Sequence, residues 1–226
     1  MEINIRKDIF LILTVSIVSA VLYIVFGDLI MDYGRNGEYP LFLRFLPVLL
    51  IQFGMSCLGV LIVLAKNKEK FCEHGLIRKN ALLSVAGCLL SAVPTVLVLW
   101  LTDDIHTFFP FQGMFLTKDI LAAPFPMNVF GYLLIAVVWG FGEGLFYVIL
   151  SDKINCIKKP RGILNTGALA CAVISILIHG MIGFDGKTIL EPAATFILMY
   201  GSVLIYNRTE NAWGNILIFF VIWNAW

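Results

Sequence analysis

The chain has 226 residues, 60% of them hydrophobic and 14% charged, with a net charge of +1 and a mean hydropathy of +0.91. Soluble domains run nearer half apolar and a quarter charged, so this composition excludes one and predicts an integral membrane protein. No basic stripe or aromatic platform points to nucleic acid, which leaves membrane lipids as the partner that composition names.

Apolar runs recur along the whole length, with no room for a separate soluble unit, so one all-α domain is expected over 1–226. About 20 mostly apolar residues cross the hydrocarbon core as a helix. On that criterion the spans fall near 9–30, 41–65, 80–102, 127–151, 163–183, 189–206 and, shorter than the rest, 213–226, a polytopic transmembrane helical bundle of about seven spans. No early stretch leads to a small-residue cleavage site, so no signal peptide is expected. Pro47 and Pro94 read as ordinary kinks.

Lys and Arg in the loops set the orientation. With the N-terminus cytoplasmic, the inside segments hold Arg6, Lys7, Lys66, Lys68, Lys70, Arg78, Lys79, Lys153, Lys158, Lys159, Arg161 and Arg208, twelve against Arg35, Lys118 and Lys187 outside. Arg44 sits at the outer edge of the second span, and seven spans put the C-terminus outside. The segment from Asp103 to Pro126 is too polar and proline-broken to span. Its IHTFFPFQGMF stretch suits the headgroup boundary, as an interfacial loop, a short surface helix or a lid over a substrate path.

Cys57, Cys72, Cys88, Cys156 and Cys171 never approach CxxC spacing, and several lie in apolar runs, so neither a zinc site nor a disulfide framework is expected. No internal repeat is visible, which weighs against an inverted-repeat transporter.

An ionisable side chain inside the bilayer costs at least a few kcal/mol, so it turns inward and is paired and functional. Glu143 and His179 are the groups of this kind in the spans. If the fourth helix continues to about Cys156, with Lys153 snorkelling, and the fifth starts near Leu164, both lie roughly 20 Å above the turn between them. Asn224, counted from Glu210, reaches the same level, so three polar groups share one layer. Gly140, Gly142 and Gly144 around the carboxylate permit close helix approach or room for water. Such a carboxylate suits a general base acting on water, or a Glu–His clamp between two helices. Gln52 is expected to hydrogen-bond a neighbouring helix, and Asn165 and Thr166, which open the fifth, to be caps or helix-contact residues. His74 and His106 fall in loops and read as solvated. Asn207-Arg208-Thr209 has the glycosylation pattern on the cytoplasmic side.

GEGLFYVIL, SILIHG and YNRTENAWGNILIFFVIWNAW, in this order and spacing, resemble the motifs EExxxR, FxxxH and HxxxN of the CPBP family. These intramembrane proteases include the CAAX prenyl endopeptidases and the bacteriocin-processing and immunity proteins. HGLIRKN, 74–80, resembles the basic segment ahead of the family's third span, and the resemblance covers roughly 70–226. Glu143 falls on the second glutamate of the first motif, with Gly142 on the first and Tyr147 for the arginine; slid by one, it falls on the first glutamate with Val148 for the arginine. Ser175 stands for the phenylalanine of the second motif with His179 kept, and Phe220 for the histidine of the third with Asn224 kept. What the resemblance implies is a catalytic set of Glu143 as base, His179 as its partner or a ligand, and Asn224 as an oxyanion donor. No cofactor is implied with certainty. A divalent metal stays open, with Glu143 and His179 as its ligands at most, short of the three in a catalytic zinc site. Three readings follow: an endopeptidase cleaving prenylated peptides or membrane proteins near the cytoplasmic face; a catalytically silent relative binding peptide, lipid or a partner protein, as an immunity or accessory protein does; and a small transporter with a Glu143–His179 proton relay.

Overall fold

The computed structural model describes residues 2–101, 107–182 and 190–225, without the side chains of 2, 3, 179–182, 190 and 191. Lys187 and His106 lie outside the described residues, as does the side chain of His179.

Each of the seven apolar stretches houses a helix, and no strand occurs among the described residues. The helices are α1 (Glu2–Arg35), α2 (Leu41–Asn67), α3 (Ala81–Leu101), the short α4 (Thr117–Ala122), α5 (Met127–Ile157), α6 (Thr166–Ile182), α7 (Leu190–Thr209) and α8 (Trp213–Trp223). Four of them, α1 from Asn4, α2, α3 and α5, are long and apolar enough to cross a membrane; the apolar parts Thr166–Ile178 and Trp213–Trp223 are shorter. A helical membrane protein is thus supported, with four spans assigned by length and composition among the described residues.

The helix ends follow from local chemistry. Pro40 precedes α2, where its missing N–H costs nothing, and Lys68 ends it in the left-handed conformation. The Asn165 side chain accepts the Ala168 N–H at 2.9 Å and so caps α6, as expected from sequence.

The helix α5 is the hub. Every residue from Gly142 to Ser151 is buried, and it packs against α1, α6 and α8. A helix apolar on all faces belongs in such a position, whereas α1 and α3 leave Val25, Leu29, Leu82 and Leu90 exposed, as lipid-facing helices do. Hydroxyls join the helices where side chains are small: Ser16 donates to the Met55 carbonyl at 2.7 Å and Thr95 to that of Ala194 at 2.9 Å.

Three helices contain a π-helical turn: Gly54–Leu58 within α2, Ala136–Gly142 within α5 and Phe219–Trp223 at the end of α8. A π turn adds one residue to the helical repeat and frees backbone groups, and such turns concentrate at functional sites. The π turn of α5 packs against both of the others.

Candidate functional site

The glycines around Glu143 are explained by close approach. A Cβ on Gly144 would stand 2.7 Å from the Ile216 Cα, one on Gly142 2.1 Å from the Cys57 Sγ, and one on Gly140 2.4 Å from the Phe220 ring. Each glycine thus admits a different neighbour: α8, the π turn of α2, and the π turn of α8. Together they pull those elements onto the stretch that carries the carboxylate, and Asn215 of α8 locks the contact by donating to the Gly144 carbonyl at 2.7 Å.

Glu143 is buried, yet it borders a cavity of about 160 Å³. Roughly 15 Å³ measured with a water-sized probe is enough for one water, so the cavity has room for several. Its polar rim is Gln52, Ser56, Glu143, Trp223 and Asn224, and its apolar wall is Met55, Trp139, Phe146, Tyr147 and Ile178. Gln52 Nε2 donates to Glu143 Oε2 at 3.4 Å, the helix-to-helix bond expected for Gln52. Trp223 and Asn224 reach the same carboxylate.

Of the three residues expected in one layer, Glu143 and Asn224 are brought together. His179 continues α6 directly after Ile178, a wall residue, but its side chain lies outside the described residues. Asn224 is less free than an oxyanion donor needs to be. Its Nδ2 is shared between the carbonyls of Trp139 at 3.3 Å and Phe219 at 3.2 Å, so it ties two π turns together as well as facing Glu143.

Two of the positions at which the sequence departs from the motifs it resembles, Phe220 and Tyr147, are filled by packed aromatics. Phe220 meets Phe111 edge to face, with ring centres 5.4 Å apart, and Tyr147 stacks on Phe219 at 5.5 Å. Among the described residues no three His, Cys, Asp or Glu side chains are placed to share a metal ion. Glu143 is the one strong ligand among the described residues that line the cavity.

The segment after α3 is more than an interfacial anchor. Phe111, Met114 and Leu116 are buried against Phe45, Ile135 and Trp139. Phe109 N–H donates to the Ala225 carbonyl at 3.1 Å and Gly113 N–H to that of Asn224 at 3.3 Å, so the loop holds the end of α8 over the cavity. Beneath it lies a second cavity of about 210 Å³ that shares Gln52, Met55 and Trp139 with the first as a common wall.

His74 overturns the solvated reading, as does Lys153 the snorkelling one. Both are buried: His74 bonds Asp152 and Glu69, each at 2.9 Å, and Lys153 donates to Glu69. Ser56, Trp223 and Asn215 were not singled out in the sequence. A signal existed for Asn215, an amide inside the apolar run WGNILIFF, and for Trp223, the neighbour of Asn224. Ser56 in GMSCLG offered none. Asn207 is bonded to Ser151 Oγ at 3.1 Å and to the Val203 carbonyl at 2.8 Å, which keeps it from serving as a glycan acceptor in the folded chain.

Scanned against protein-family models, curated proteins and solved structures, the chain matches none of them.

Proposed function

We propose that the chain is a divergent CPBP-type intramembrane endopeptidase in which Glu143 activates water against a peptide bond. The observation that carries this reading is the meeting of one buried carboxylate with the amides of Gln52 and Asn224 at a cavity with room for water. In this mechanism Glu143 takes a proton from water, the hydroxide adds to the peptide carbonyl, and Glu143 returns the proton to the leaving amine. Gln52 holds the carboxylate. Asn224 serves the oxyanion by giving up one of its two backbone acceptors, and His179 completes the set from α6. The substrate is a peptide or membrane protein, prenylated or otherwise apolar beside the scissile bond, and it is cut near the cytoplasmic face. The chain spans the membrane seven times, with the N-terminus cytoplasmic and the C-terminus on the opposite side, as the Lys and Arg bias favours.

A second reading, favoured by Phe220 and Tyr147, is a catalytically silent relative that binds a peptide, a lipid or a partner protein in the same cavity. Packed aromatics at two motif positions remove a histidine and an arginine without leaving a gap, as expected when selection keeps the chamber and gives up the chemistry.

Purified wild-type protein and Glu143→Gln incubated with prenylated CAAX-type peptides, with products read by mass spectrometry, separate the two readings. Product from wild type alone supports the endopeptidase. Intact peptide with both proteins, together with photocrosslinking of the peptide to the cavity wall, supports the silent relative.

A further inference from the structure

The end of the bundle near His74 carries a set of groups that the cavity around Glu143 does not use. Phe71–His74 form a single 3₁₀ turn between α2 and α3, and His74 is directed inward from it. Nδ1 faces Asp152 Oδ2 of α5 at 2.9 Å, and Nε2 faces Glu69 Oε2 at 2.9 Å. A neutral imidazole carries one N–H, so it could satisfy only one of these acceptors and would set a lone pair against the other carboxylate. Neither carboxylate needs the proton itself, because each accepts other donors. Glu69 Oε1 takes the Lys153 ammonium and the Asn67 amide, and Asp152 Oδ2 takes the Tyr206 hydroxyl at 2.6 Å.

Charge balance points the same way. Lys153 also lies 3.6 Å from Asp8 of α1, which is bonded to Lys66 at 2.6 Å. Within these bonded pairs the cations Lys66, Lys153 and His74 match the anions Asp8, Glu69 and Asp152, whereas a neutral His74 removes the positive charge set against Asp152. Glu73, Glu210 and Lys159 border the adjoining open hollow, as do the thiols of Cys72 and Cys156.

We infer that His74 is a protonated latch: its imidazolium ties the 3₁₀ turn to α5, and loss of the proton releases that turn, while Gly75, Ile77, Lys79 and Asn80 stay bonded to 209–212. Burial opposes the charge on His74, but the bonds and charges of Asp152 and Glu69 outweigh it and raise its pKa above the usual 6.5. Burial likewise opposes ionisation of Glu69, and Lys153, Asn67 and His74 outweigh it, which lowers that carboxyl below 4.5. A raised histidine contributes stability that is fully present below 6.5 and is lost as pH rises through the folded value. A lowered carboxylate contributes stability that is present above 4.5 and is lost as pH falls through the folded value. The latch is therefore complete between 4.5 and 6.5 and opens on the alkaline side.

The test uses the full chain in detergent or lipid. In ¹³C-histidine-labelled His106→Gln/His179→Gln protein, His74 is the one remaining imidazole, and its NMR titration is expected above 6.5; titration at or below 6.5 overturns the proposal. Asp152→Asn is expected to lower that titration by about one pH unit or more, and an unchanged value counts against the latch. In wild type, hydrogen exchange of 71–74 is expected to accelerate as pH rises through the titration, beyond the intrinsic pH dependence of exchange, while 143–151 stays protected. Equal protection of 71–74 on both sides of the titration overturns the release step.

Discussion

Around His74 every buried charge meets an opposite one, and the groups come from α1, α2, the 3₁₀ turn and α5. Around Glu143 the carboxylate meets amides and an indole and borders open space. Both regions lie on one helix, nine residues apart from Glu143 to Asp152. A compensated cluster has used up its electrostatic capacity and can only hold parts together or release them. A carboxylate among neutral donors, with a cavity in front of it, keeps an interaction in reserve for something that enters.

This contrast should separate stability from function when each region is altered. The largest loss of stability is expected from Lys153→Met, which leaves Asp8 and Glu69 without their shared cation. Breaking buried pairs of this kind costs about 3–5 kcal/mol, read as a fall in Tm at pH 6. Next comes Gly144→Ala. Its new Cβ meets the backbone of α8, which cannot rotate away, and overpacking costs about 1–3 kcal/mol; a tethered label on α8 should report its displacement. Gln52→Leu removes a donor from a buried carboxylate at about 1–3 kcal/mol, and on the endopeptidase reading it lowers cleavage as well. Smallest in stability is Glu143→Gln, within about 1 kcal/mol of wild type because the amide keeps the shape and one acceptor oxygen, though it is expected to abolish cleavage. If Glu143→Gln unfolds the protein while Lys153→Met does not, the two regions have exchanged roles and the contrast fails.

The seven apolar stretches were legible because hydrophobic length is a local property, and the structure houses a helix in each. Glu143 was legible because a lone acid in an apolar run has no bland position. Gln52 could be assigned to a helix contact for the same reason, though its partner could not. The π turns were invisible, since GMSCL, AVVWGFG and FFVIW carry no residue that forbids an ordinary α turn. His74 was misread because its partners stand at 69 and 152, and no spacing rule connects a histidine to a carboxylate 78 residues away. Lys153 was misread because an apolar stem ending in a charge is equally suited to reaching water or to reaching Glu69.

The three π turns can also be counted as insertions. Each adds one residue to an α-helical frame, and one residue turns the following helix by roughly 100°. Deleting a single residue from AVVWGFG should therefore leave α5 helical and nearly as long, yet swing Glu143 and all that follows it to a different face. The bundle then loses its cavity by rotation rather than by substitution, although no residue of the polar rim has been changed.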